Sequence, residues 1–179
     1  MPFDRRQAVQ ELAARLYGYA MSLCADPTLA EDLAQETVTR AIAARRAPTD
    51  DAAFRAWAFR ILRNAWIDHM RREGRLVILD GDDMADAIDN HRIDGPAIFD
   101  DSLVNALTVR FALARLKPAH REIIGLVDVA GFSYAEAADI LVIPVGTVMS
   151  RLSSARAGLA KAIVDANIVP MPLRARRKS

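Results

Sequence analysis

Six arginines, at positions 55, 60, 63, 71, 72 and 75, fall within FRAWAFRILRNAWIDHMRREGR and are opposed there only by Asp68 and Glu73. The same stretch interleaves Phe54, Trp57, Phe59 and Trp66 with that charge. Guanidinium groups neutralise phosphates and aromatic rings stack on unpaired bases, so the pattern suits a nucleic-acid strand. Phe54, Trp57, Ala58, Ile61, Leu62 and Ala65 also sit at helical core spacing, which assigns most of the aromatics to packing rather than stacking. The arginines off that stripe, among them Arg60, Arg63, Arg71 and Arg72, and Asn64 beside them, are then the candidates for ligand contact.

A second candidate lies in GFSYAEAADILVIPVGTVMSRLSSAR, residues 131–156. Gly131 supplies a helix stop, and Ser133 with Glu136 forms the S-x-x-E capping box that starts a helix holding Ala137, Ala138, Ile140 and Leu141. A turn at Val142 and Ile143 leads to Pro144, suited to a helix's first position because its missing N–H has no partner there. Two short helices joined by such a turn make a helix-turn-helix, whose second helix enters the major groove by its N-terminal residues. Gly146, Thr147, Ser150, Arg151 and Ser154 are small or polar residues of the kind that let backbone and side chains approach DNA, while Val148, Leu152, Ala155 and Leu159 form the opposite, packing face. A plain helical hairpin is the blander reading; box, turn, Pro and Gly in this order argue against it.

A third stretch, PTLAEDLAQETVTRAIAARR, places Leu29, Leu33, Thr37 and Ala41 with Ala34, Val38 and Ile42 on one helical face. Asp32, Gln35, Glu36 and Thr39 line the other. Periodicity alone favours a solvated surface there over a docking face for a basic partner.

The elements that must position these residues are helical throughout. Ala, Leu and Arg dominate, apolar residues recur three and four apart, and no period-two run suggests a sheet. Charge divides the 179 residues. Residues 1–76 hold 12 Arg and 10 acids, residues 77–102 hold Arg92 against eight Asp, and residues 103–179 hold 11 Lys or Arg against five acids. The expected fold is all-α, with two small helical domains, 1–76 and 103–166, on a flexible acidic linker, 77–102, and a mobile basic tail, 167–179. Net charge is +1, so whole-chain charge selects no partner. One cysteine, Cys24, and three scattered histidines give neither a disulfide framework nor metal-ligand spacing. No metal or cofactor is expected, and no paired carboxylates, Ser-His-Asp set or Gly-rich phosphate loop points to an enzyme. The start, MPFDRRQAVQELAARL, carries charges where a signal peptide needs an apolar core, and no apolar run is long enough for a membrane span, so a cytoplasmic protein is expected.

Three segments, AEDLAQETVTRA at 30–41, FRAWAFRILRNAWIDHMRR at 54–72 and GFSYAEAADILVIPVGTVMSRL at 131–152, resemble regions 2.2, 2.3 to 2.4 and 4.2 of the extracytoplasmic-function (ECF) sigma factors, group IV of the sigma-70 family. The resemblance implies a region 2 helical bundle and a region 4 helix-turn-helix. Its implied partners are bacterial RNA polymerase core, promoter DNA and an anti-sigma factor. Asp32, Gln35, Glu36 and Thr39 would bind the β′ clamp helices, which overrides the solvated-surface reading, and the second domain would meet the β flap. Asn64 and Asp68, with the loop of Thr49, Asp50 and Asp51, would hold a base flipped from the minus-ten element, at an unstacking cost of a few kcal/mol. Arg60, Arg63, Arg71 and Arg72 would accompany them. Ser133, Gly146, Thr147, Met149, Ser150, Arg151, Ser153, Ser154 and Arg156 would face the minus-thirty-five element.

The sequence departs from the family at Val142, where Gly is usual between the two helices, and at Met149 and Ser154, where many relatives carry Lys or Arg. The first implies a different turn or a strained one; the others imply weaker or altered promoter recognition. Two alternatives stay open at this point. A sigma-like decoy would bind a regulatory protein in place of DNA, and a helix-turn-helix repressor would carry an unrelated helical sensor.

Overall fold

The computed structural model describes residues 3–74 and 101–167. Most of the expected acidic linker and the basic tail beyond Asn167 therefore lie outside the described residues. Asp101 and Ser102, placed with the linker by charge, instead begin a helix.

Three helices form the first group, each started by an aspartate. Asp4 accepts from the N–H groups of Arg6 and Gln7 and opens α1, Arg5–Cys24. Asp26 does the same for Thr28 and Leu29 and opens α2, Pro27–Ala43, with Pro27 in the first turn where no N–H is needed. Asp50 accepts from the Ala53 N–H and opens α3, Asp51–Arg72. Each such cap contributes roughly 1 kcal/mol by satisfying donors that the helix cannot. Leu16, Leu23, Leu33, Phe54, Leu62 and Trp66 are buried in this group, and Tyr19 and Phe59 are buried where it meets the second. Each large apolar side chain buried there contributes about 1.5–3 kcal/mol before entropy is counted.

The second group holds α4, Asp101–Ala114, then α5, Pro118–Ile124, which runs on through a π-helical turn at Gly125–Val129. Gly131, at φ 73°, ends that run. Ser133 and Glu136 then form the expected capping box at the head of α6, Tyr134–Leu141. Val142 closes α6 at φ 59° and ψ 47°, so the turn keeps the left-handed geometry that Gly ordinarily supplies and carries the strain of a branched side chain, about 1–2 kcal/mol. Its side chain is 85% exposed, so packing does not offset that strain. Pro144 stands one position before the expected one, and its carbonyl accepts from Thr147 and Val148. The helix it leads, α7, Val145–Asn167, is a long one of 23 residues rather than a short one. Val148, Leu152 and Ala155 bury its inner face as expected.

The two groups pack on each other, and one continuous cluster of buried side chains runs through both. Close approach is possible because two glycines lie at the crossing of α1 with the π-helical turn. A Cβ at Gly125 would fall 2.0 Å from the Ser22 hydroxyl oxygen, and one at Gly18 would fall 2.8 Å from a Val129 methyl. Arg110 of α4 reaches across to the Ala25 carbonyl at 3.2 Å, where α1 ends.

Candidate nucleic-acid interface

Along α3 the buried side chains are Phe54, Ala58, Phe59, Leu62, Ala65 and Trp66. Packing takes three of the four aromatics, as the spacing implies, but the inward stripe is rotated: Phe59 and Trp66 are inside, while Trp57 and Ile61 are half-buried. Asn64 and Asp68, four residues apart and so one turn apart on the same face, are both exposed. The backbone carbonyl of Asp68 accepts from Arg72, and its carboxylate lies 3.8 Å from the Arg71 guanidinium. Asn64, Asp68, Arg71 and Arg72 therefore form one exposed polar group near the end of α3.

Thr49, Asp50 and Asp51 are exposed at the other end of the same helix, where Asp50 serves as its cap. At 1.5 Å of rise per residue, Asp50 and Asn64 are separated by about 20 Å along the axis. The structure thus brings Asn64 and Asp68 together but sets the 49–51 group apart from them.

Three other arginines of α3 point elsewhere. Arg63 donates to the Glu122 carboxylate of α5 at 2.6 Å, with Glu122 only 2% exposed. Arg55 pairs with Glu136 at 2.6 Å and lies over the Phe132 ring at 4.5 Å from its centroid. Arg60 donates to the Asp139 carbonyl at 2.7 Å. Phe59 meets Phe132 edge to face, with centroids 4.8 Å apart. Nothing in the sequence patterning singled out Glu122, because its partner lies 59 residues away.

The electrostatics follow from these contacts. Glu136 is held below the usual carboxylate range, first by the Ser133 backbone N–H and hydroxyl and then by Arg55. Burial pushes the Tyr19 hydroxyl well above its ordinary range; the Glu122 carboxylate adds to the rise and Arg63 opposes it. Burial also raises the Cys24 thiol to about 11.

On α2, Leu33, Ala34, Thr37 and Ala41 are buried while Asp32, Gln35 and Thr39 are exposed and Glu36 is half-exposed. Glu36 pairs with Arg40 at 2.6 Å, one turn on, an exposed pair of small energetic weight. The face is intact and open to a partner.

On α7, Gly146, Met149, Ser150, Ser153 and Ser154 are exposed, as is Ser133 at the head of α6; Thr147 and Arg151 are half-buried. The helix's N-terminal N–H groups and this small-residue face are presented together. Arg156 is turned aside: it forms a two-pronged ion pair with Asp128, which raises its already high pKa. Val142 and Met149, 85% and 54% exposed, place apolar surface beside the polar residues. Among the described residues no cluster of side chains suited to a metal ion occurs, and no single helix is long and apolar enough to cross a membrane.

Comparison with known proteins supplies the frame for these surfaces. Residues 8–76 match the family model for sigma-70 region 2, and residues 106–159 match that for sigma-70 region 4. The ECF sigma factor SigL of Mycobacterium tuberculosis is 34% identical over 148 residues, covering 82% of this chain and 81% of its own. SigE of Mycolicibacterium smegmatis is 31% identical over 150 residues, 84% of this chain and 58% of that longer protein. The sigma factor RpoE from Bartonella quintana, solved in complex with the anti-sigma factor NepR, superposes with a TM-score of 0.65 at 30% identity, covering 88% of this chain and 95% of that one. With both sigma-70 regions present in order, and SigL matched along most of its length, the chain belongs to the ECF RNA polymerase sigma factors.

Proposed function

We propose that this chain binds RNA polymerase core, recognises promoter DNA through both regions and promotes strand opening at initiation, and that an anti-sigma factor holds it in check. The observation that carries this reading is the succession, in one chain, of α2 with its open acidic row, α3 with its arginines and exposed Asn64 and Asp68, and a helix-turn-helix at α6 and α7. The working divisions are 1–76 for core and minus-ten contact, 77–102 as linker, 103–166 for the minus-thirty-five element and 167–179 as tail.

Asp32, Gln35, Glu36 and Thr39 present carboxylate, amide and hydroxyl oxygens to a basic partner, and charge complementarity there speeds docking and fixes its register. On α3, Asn64 offers both donor and acceptor to a base edge, Asp68 accepts from an exocyclic amine, and Arg71 and Arg72 neutralise adjacent phosphates. Thr49, Asp50 and Asp51, about 20 Å away, meet the same strand farther along. Flipping a base costs a few kcal/mol of lost stacking, offset by the contacts of that base and by core binding. At α7, the exposed Gly146 lets backbone approach the groove, Ser150, Ser153, Ser154 and Arg151 supply polar contacts, and Met149 offers an apolar contact for a thymine methyl. Ser133, at the exposed head of α6, would meet a phosphate only by giving up its capping-box bonds to Glu136. The repressor alternative would leave the region 2 match over residues 8–76 without a purpose.

The reading is tested by equilibrium binding of the labelled full chain to purified core polymerase, beside an Asp32→Arg, Glu36→Arg variant. Tight binding by the parent and a loss of at least about tenfold in the variant is expected; equal binding by both would remove α2 from the interface. Recovery of polymerase alone, with no further protein, in pull-downs from native cells would count against the anti-sigma partner.

A further inference from the structure

Both prongs of the Arg156 guanidinium are occupied within the chain. Its Nε donates to one carboxylate oxygen of Asp128 at 3.1 Å and its Nη2 donates to the other at 2.5 Å. Asp128 belongs to the π-helical turn and Arg156 to α7, so the pair joins two elements of the second helical group. Those two nitrogens form an edge with which a guanidinium grips a phosphate. Tyr134, at the head of α6, adds a lesser hydrogen-bonding influence on the same group.

Stability gives the pair little purpose. Arg156 and Asp128 are 52% and 32% exposed, and exposed ion pairs contribute little. Packing by Leu126 of the turn and by Val148, Leu152 and Ala155 of α7, all buried, already holds this group together. Position is more informative. Met149, Ser153 and Arg156 stand four and three residues apart on one exposed stripe of α7, so Arg156 continues the face offered to DNA. Cations are scarce there: α6 has none, and α7 adds only Arg151 and Lys161. Asp128 thus discharges one of the few groups able to neutralise a phosphate. Phosphate contacts supply the sequence-independent part of DNA affinity, while base contacts supply discrimination. Withholding one phosphate contact weakens binding to every sequence alike, and the chain is then held less by DNA that carries no promoter.

We infer that Asp128 is a restraint on DNA affinity: it stands in for a phosphate at Arg156 and keeps that side chain from the duplex, so that α6 and α7 contribute base contacts with little sequence-independent grip. This deepens the sigma-factor reading and rests on it for the DNA that α7 meets.

The test measures the full chain on a short fluorescent duplex of mixed sequence, by anisotropy, between about 50 and 200 mM salt. The parent is compared with Asp128→Asn, with the double variant Asp128→Asn, Arg156→Ala, and with Asp165→Asn, which removes a like charge from an exposed position farther along α7. Asp128→Asn should steepen the dependence of log affinity on log salt by about 0.9, so that its affinity falls about three- to fourfold more than the parent's across that range. The double variant should return to the parent's slope, and Asp165→Asn should keep it; circular dichroism confirms that each variant retains its helices. An Asp128→Asn slope no steeper than the parent's, or one matched by Asp165→Asn, overturns the restraint. So does a double variant with a shallower slope than the parent, which would mean that Arg156 already grips a phosphate. Duplex binding below detection in every variant, Asp128→Asn included, overturns it as well. Slopes that respond as expected in a chain that fails to bind core polymerase would leave the restraint standing and sink the sigma-factor reading.

Discussion

The guanidinium Nε of Arg63 on α3 and the carboxylate of Glu122 on α5 meet at 2.6 Å across the boundary between the two helical groups, 18% and 2% exposed respectively. Losing either side breaks a buried, hydrogen-bonded ion pair, and Arg63→Ala or Glu122→Ala should each lower stability by about 3–5 kcal/mol in urea denaturation. The double change Arg63→Met, Glu122→Leu should recover most of that loss. A double variant as unstable as the singles would mean that the pair's hydrogen bonding, rather than charge burial, dominates.

Val142 holds the turn of the helix-turn-helix at φ 59° with a solvent-exposed side chain. Val142→Gly relieves about 1–2 kcal/mol of backbone strain and adds about 0.4–1 kcal/mol of unfolded-state entropy. A net gain of roughly 0.5–1 kcal/mol should appear as a raised thermal midpoint. A loss would show that the isopropyl group makes a contact worth more than its exposure suggests.

The capping box predicts an acid sensitivity. The folded-state pKa of Glu136 is depressed, so its contribution is fully present above its ordinary value of 4.5 and is lost as pH falls through the lower folded value. Glu136→Gln should flatten the stability profile in that acid window and leave the neutral-to-basic limb parallel to the parent's. Ser133→Ala should cost about 0.5–2 kcal/mol near neutral pH through the lost cap alone.

Cys24 should behave as an inert thiol. With its pKa raised from 9.0 to about 11, thiolate at pH 8 is roughly 100-fold scarcer than for an unperturbed cysteine. Alkylation of the native chain should be slower by at least that factor and return to the ordinary rate in denaturant. Rapid native-state alkylation would mean that the end of α1 opens readily.

What the sequence disclosed, and what it withheld, follow the range of the interactions involved. The capping box of Ser133 and Glu136, the stop at Gly131 and the buried face of Val148, Leu152 and Ala155 are local, set by residues within a few positions of each other, and all were legible. The rotation of the α3 stripe was not, because Phe59 is drawn inward by Tyr19 and by Phe132, both distant in sequence. The partners of Arg55, Arg60 and Arg63 lie 59 to 81 residues away, so periodicity marked those arginines as free. The exposed row of α2 was visible as a pattern, but periodicity alone assigns it to solvent; only the family resemblance gave it a partner.

Run-off transcription with purified core polymerase on a promoter library tests the central claim most directly. The parent chain should yield transcripts from promoters sharing one pair of minus-thirty-five and minus-ten elements, and the Asp32→Arg, Glu36→Arg variant should yield none. Asn64→Ala should give fewer transcripts from the same promoters while still binding core. Absence of transcripts from the parent across the library, with core and chain shown to form a stable complex, would contradict the account.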